Sequence, residues 1–150
     1  KGESTDMKKI LVIYHSQSGN TEAMAKAIAE GGKGAGATVT LKKAADAGVD
    51  DLLGCDAVVI GTPNYFSYMA GMIKDFFDRV WGTVRGQMEN KPFAVFGSYG
   101  GGGLPAIESV EKICEGLGMK KFYESIGVQR TPTAENLKAC KELGKKLAKL

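Results

Sequence analysis

Lys9–Tyr14 reads KILVIY and runs straight into HSQSGNT over His15–Thr21. The first stretch is short, rich in Ile and Val and apolar at successive positions. That predicts a strand buried on both faces. The second is polar, and Met24, Ala27, Ile28 and Gly31 beyond it fall at i, i+3, i+4 and i+7, which is one face of a helix. Gly31, Gly32 and Gly34 are expected to end that helix. The unit strand–polar loop–helix recurs. Asp56–Gly61 (DAVVIG) precedes a helix over Gly71–Trp81, with Met72, Ile73, Phe76, Phe77 and Val80 on its apolar side. Pro92–Gly97 (PFAVFG) precedes one from Leu104 to about Leu117. Lys120–Val128 holds a fifth strand before a helix over Thr133–Leu150. Ala37–Leu41 is the second strand, and Asp50–Leu53 a short helix or turn. Strands alternating with helices imply a parallel sheet covered on both faces. Five strands are too few for a closed eight-stranded barrel. The expected architecture is α/β: an open, doubly wound, five-stranded parallel sheet in the order 2-1-3-4-5.

A chain of 150 residues suits one core, and residues 7–150 are expected to form a single domain. Met7, followed by two lysines and the first apolar run, resembles a native start, so Lys1–Asp6 is expected to be an added or disordered leader. No apolar run approaches the roughly 18 residues of a membrane span, and no secretory pattern opens the chain, which predicts a cytoplasmic protein with no membrane partner. The net charge of +3 is too small for a nucleic-acid footprint. Cys55, Cys114 and Cys140 are odd in number and far apart, which argues against disulfides or a cysteine-held metal. They are expected to pack in the core, as are Trp81 and Met72. The lysines of the last helix are expected to be a solvated face. Nothing in the sequence indicates more than a monomer.

In open parallel sheets ligands bind beyond the carboxyl ends of the strands, where the strand order reverses. This nominates the loops after Tyr14, Gly61 and Gly97. The first packs hydroxyls, amides and a glycine against a helix N-terminus, the chemistry of a phosphate site. It holds no Lys or Arg, so the anion is expected to be held by neutral donors, as suits a terminal phosphate monoester. GxxxxGK[ST] is absent, as is GxGxxG after the first strand, which removes a P-loop nucleotidase and the standard dinucleotide fold. Around Ser98 the first glycine of GxSxG is misplaced. Tyr14–Gly19 and Gly61–Phe66 contain no acids for a phosphoacceptor site.

Ser16–Thr21 (SQSGNT) resembles the FMN phosphate loop of flavodoxins, Phe96–Gly100 (FGSYG) the second ring-contacting loop of short-chain flavodoxins, and Leu143–Leu150 (LGKKLAKL) their last helix. The fifth strand lacks the insertion of long-chain members. Gly61–Phe66 with Met69 is closer to flavodoxin-like NAD(P)H:quinone oxidoreductases and FMN reductases. The resemblance implies a flavodoxin-like three-layer sandwich that binds FMN. It puts Ser16, Gln17, Ser18, Gly19, Asn20 and Thr21 on the phosphate. It puts Thr62, Pro63, Asn64, Tyr65 and Phe66 along one side of the ring, and Ser98, Tyr99, Gly100, Gly101 and Gly102 along the other. The residue types agree, since a flavin needs flat aromatic walls and close backbone approach. Where short-chain flavodoxins carry an aromatic and an acid, this chain has Gly101 and Gly103. With no acid in Ser98–Gly103 or Thr62–Ser67, the second-electron couple is expected to be less negative than in flavodoxins. His15 is expected to have no catalytic part. The resemblance implies a carrier passing electrons between a reductase and an acceptor protein. Its alternative is an NAD(P)H-dependent FMN or quinone reductase, in which hydride passes through flavin N5.

Overall fold

The alternation along Lys9–Tyr14 shows how this sheet comes to be covered twice. Ile10, Val12 and Tyr14 enter one buried cluster, while Leu11 and Ile13 enter another. Successive side chains of a strand point to opposite faces, so a continuous apolar run supplies both layers. The computed structural model describes residues 7–150, and the leader expected over Lys1–Asp6 lies outside the described residues. The elements are β1 (Lys9–Tyr14), α1 (Asn20–Gly34), β2 (Thr38–Lys43), α2 (Val49–Gly54), β3 (Ala57–Gly61), α3 (Gly71–Val84), β4 (Pro92–Tyr99), α4 (Pro105–Gly116), β5 (Lys120–Lys121), β6 (Ile126–Gln129) and α5 (Ala134–Leu147). All pairings among these strands are parallel, in the order β2-β1-β3-β4-β5, with β6 also on β4. The expected fifth strand is therefore two short segments side by side with β4. Between them Ser125 donates to the Glu111 carboxylate, which also pairs with Lys121 at 3.1 Å. A short, charged edge of this kind discourages further strand pairing.

Ile73, Phe76, Phe77 and Val80 of α3, with Val110 and Cys114 of α4, cover one face of the sheet. Met24, Ala27 and Ile28 of α1, with Cys140, Leu143 and Leu147 of α5, cover the other. All three cysteines are buried and unpaired. Burial pushes the Cys55 thiol up to about 11 and that of Cys140 to about 12, which leaves them unreactive packing groups.

Two expectations fail here. Gly31 and Gly32 do not end α1. The helix runs through them to Gly34 and stops in a Schellman motif. The Ala37 N–H donates to the Gly32 carbonyl at 2.9 Å and the Gly36 N–H to that of Lys33 at 3.0 Å, with Gly36 at φ 98. Gly31 faces α5, where a Cβ would strike the Lys141 carbonyl. Its glycine permits close helix packing. Trp81 and Met72 are not core residues, being 37% and 36% exposed. At roughly 100° per residue they lie about a quarter-turn to either side of the buried stripe through Ile73, Phe76, Val80 and Val84. The lysines of α5 do form a solvated face. Lys141 pairs with Glu30, Lys145 with Glu142, and Lys146 sits 5.0 Å from the Tyr123 ring centre. Among the described residues no helix is long and apolar enough to cross a membrane.

Candidate functional site

β1, β3 and β4 end side by side, and their three following loops meet. The helix α1 leaves β1 through Gly19, which holds φ 96 at the N-cap, and no side chain caps the helix. The loop instead braces itself. The Ser16 hydroxyl accepts from the Gly19 N–H at 3.0 Å and that of Ser18 from the Asn20 N–H at 3.4 Å. Thr21 is buried and shares a 2.8 Å hydrogen bond with the Ser98 hydroxyl. This bond fixes the start of α1 to the end of β4. On the other side, Tyr14 donates to Glu22 at 2.9 Å.

The loop after β3 is closed by Thr62, whose hydroxyl donates to the Pro63 carbonyl at 2.7 Å and accepts from the Ala70 N–H at 2.9 Å. Asn64 joins it to the loop after β4. Its N–H donates to the Ser98 carbonyl at 3.1 Å and its Nδ2 to that of Gly101 at 3.2 Å. Asn64 Oδ1 is buried and has no partner among the described residues. Tyr65 and Tyr68 exchange two backbone hydrogen bonds of 3.1 Å, so Phe66 and Ser67 form a two-residue turn with φ of 54° and 61°. A turn with two positive φ values normally uses Asn or Gly. Here it holds the Phe66 side chain fully in solvent. His15 and Tyr65 stand nearly perpendicular, ring centres 6.2 Å apart. Burial, and then the nearby Lys43, hold its imidazole below the ordinary histidine value.

Between these loops lies a cavity of about 290 Å³. It brings together Gln17, Ser18, Asn20, Pro63, Asn64, Tyr65, Ser98, Tyr99 and Gly100, nine of the sixteen residues singled out in the sequence. Ser16, Gly19, Thr21 and Thr62 stand behind it in the hydrogen bonds just described. Phe66, Gly101 and Gly102 lie outside its lining. Arg130 is the tenth lining residue and was not among the sixteen. It belongs to the loop after β6, which the strand-reversal rule does not nominate. Only the register of β6 on β4, with Gln129 opposite Tyr99, brings it to the site.

Residues 12–144 match the flavodoxin family model. The chain belongs to the flavodoxin family. It is 32% identical to the flavodoxin of Aquifex aeolicus, over 95% of this chain and 86% of that protein. It is 38% identical to NAD(P)H dehydrogenase (quinone) 3 of Rhizobium meliloti, over 75% of this chain but only 65% of that protein. Among solved structures, a flavodoxin from the domain Archaea superposes with a TM-score of 0.86 at 30% identity, over 94% and 96% of the two chains. The expected α/β flavodoxin-like fold and strand order are thus shown. Proteins of this family bind flavin, and the site fits one. It offers an uncapped helix start for an anion, tyrosines from the loop after β3 and the end of β4 for a flat ring, and in Asn64 Oδ1 a buried acceptor in want of a donor.

Proposed function

We propose that this flavodoxin-family chain binds FMN in the crevice between the loops after β1, β3 and β4, and acts as a small, monomeric, cytoplasmic electron-transfer protein. One observation carries the reading: a single cavity joins the uncapped start of α1 to Tyr65 and Tyr99. Ser16–Thr21 hold the phosphate, with the α1 dipole and loop N–H groups as donors. Thr62–Phe66 and Ser98–Gly102 flank the ring, and Asn64 Oδ1 accepts from its polar edge. Bound FMN supplies the one- and two-electron redox chemistry, while the chain orients it and sets its electrostatic surroundings. Among the described residues no carboxylate, histidine or cysteine lines the cavity, as suits electron transfer with no side-chain acid or base. The partners are a reductase and an acceptor protein. Three unpaired buried cysteines suit a reducing compartment.

A second reading, an NAD(P)H-dependent FMN or quinone reductase, is favoured by the 38% identity to the Rhizobium meliloti enzyme. The two readings part in one experiment. FMN-loaded protein is mixed anaerobically with NADPH, then NADH, while the oxidised flavin band is followed. The carrier reading expects the band to persist until dithionite is added. Rapid bleaching by either nucleotide overturns it and makes quinones the next substrates to try. A protein that emerges colourless from incubation with FMN overturns both.

A further inference from the structure

The loop after β6 brings to the crevice what the other three loops lack, a positive charge. The Arg130 N–H donates to the Tyr99 carbonyl at 2.7 Å, and the Gln129 side-chain amide donates to that of Gly100 at 3.0 Å. These two bonds pin the base of Arg130 against the wall made by Tyr99 and Gly100. The residue sits at φ 61, a conformation that glycine takes freely and that a side chain makes costly. Its side chain is exposed, yet it lines the cavity. Among the described residues no carboxylate lies within ion-pair distance of it. His15–Thr21, Thr62–Ser67 and Ser98–Gly103 contain no acid to offset it. A guanidinium keeps its charge at every working pH.

We propose that Arg130 tunes the site's redox poise, favouring the anionic two-electron reduced state of a flavin held against Tyr99 and Gly100. The proposal rests on the FMN reading above. The second electron, from an external one-electron donor, enters without a proton and leaves one negative charge on the ring system. A cation across a partly exposed cleft attracts that charge, does little to the neutral oxidised ring, and is screened by salt.

The test uses Arg130→Gln, Arg130→Lys and Arg130→Gly in the full chain. Each is loaded with FMN and titrated anaerobically with dithionite at low and high salt. Affinities of the oxidised forms for FMN and riboflavin are measured alongside. In Arg130→Gln, binding of the two-electron reduced state relative to the one-electron reduced one is expected to weaken about 3–10-fold. That lowers the second-electron potential by roughly 30–60 mV at 59 mV per tenfold. Its oxidised-state affinities stay within about threefold, and its salt dependence flattens. Arg130→Lys restores most of the shift. Arg130→Gly behaves like Arg130→Gln although it relieves the backbone, which separates charge from conformation. An unchanged second potential in Arg130→Gln overturns the proposal alone. So does a loss of affinity for FMN but not riboflavin at unchanged potentials, which makes Arg130 a phosphate ligand. Wild-type protein that takes up no flavin overturns the FMN reading and this proposal with it.

Discussion

Where α1 crosses α5, a Cβ on Gly31 would strike the Lys141 carbonyl, and one on Gly144 would strike that of Ile28. At the rim of the crevice, a Cβ on Gly100 or Gly101 would meet no atom of the described residues within 4 Å. The two sets look alike in the sequence. At the crossing, smallness is required by the protein's own packing, because the helix backbones approach each other directly. At the rim no described residue requires it, and the space there stays open. Conformation divides the two regions as well. The crossing glycines are ordinary helical residues, whereas the rim places Phe66, Ser67 and Arg130 at positive φ with side chains attached. Strain is tolerated where the backbone must present something, and tight fit where it must only hold.

The largest effect is expected at the crossing. Gly144→Ala gains about 1 kcal/mol of helix propensity but overlaps the Ile28 carbonyl, so urea unfolding should show a net loss of about 2 kcal/mol. Gly101→Ala, the matched change at the rim, should stay within about 0.5 kcal/mol. Equal losses at the two positions would end the distinction. Next comes the bond that joins the regions. Thr21→Val leaves the buried Ser98 hydroxyl without its partner and should cost about 1.5 kcal/mol, and adding Ser98→Ala should return much of it. Additive losses in that cycle would show that the two hydroxyls do not depend on each other. Ser67→Gly is expected to stabilise the protein by about 0.5 kcal/mol, because relief of the left-handed conformation exceeds the entropy glycine adds to the unfolded chain. Denaturation midpoints without added flavin measure it.

The smallest effect concerns His15. Its folded-state value lies below the ordinary 6.5, because burial and then Lys43 disfavour the charged ring. The unfolded chain therefore takes up the proton first as pH falls. Stability is full above about pH 6.5 and declines as pH drops toward the folded-state value. His15→Gln should flatten that part of the stability–pH curve and leave the curve above pH 7 unchanged. An identical slope in the variant would remove His15 as its source.

Legibility in the sequence follows the range of the interaction involved. The alternation KILVIY, the stripe Met24–Ala27–Ile28 and the polar turn between them are local, and each states its own structure. The capping box at α5 is equally local: the Asn136 N–H donates to the Thr133 hydroxyl at 3.1 Å, and the Thr133 N–H donates to Asn136 Oδ1 at 2.9 Å. The end of α1 was misplaced because Gly31 and Gly32 look like stop signals until α5 lies against them. Trp81 and Met72 were misplaced because helical spacing marks a stripe but not its width. In the site, the nine cavity-lining residues foreseen lie at the ends of strands of known order or on the segments that follow them. Arg130 was not foreseen because its place depends on how β6 aligns with β4.

By itself, then, the sequence determined the alternation of strands and helices, the parallel order and the three loops at the reversal point, because hydrophobic period and turn chemistry act over a few residues. The tertiary structure alone decided which glycines serve packing and which stay open, that Phe66 points into solvent, and that a guanidinium joins the crevice. Those outcomes depend on contacts between segments tens of residues apart, and such distances exist only once the sheet has brought the strand ends together.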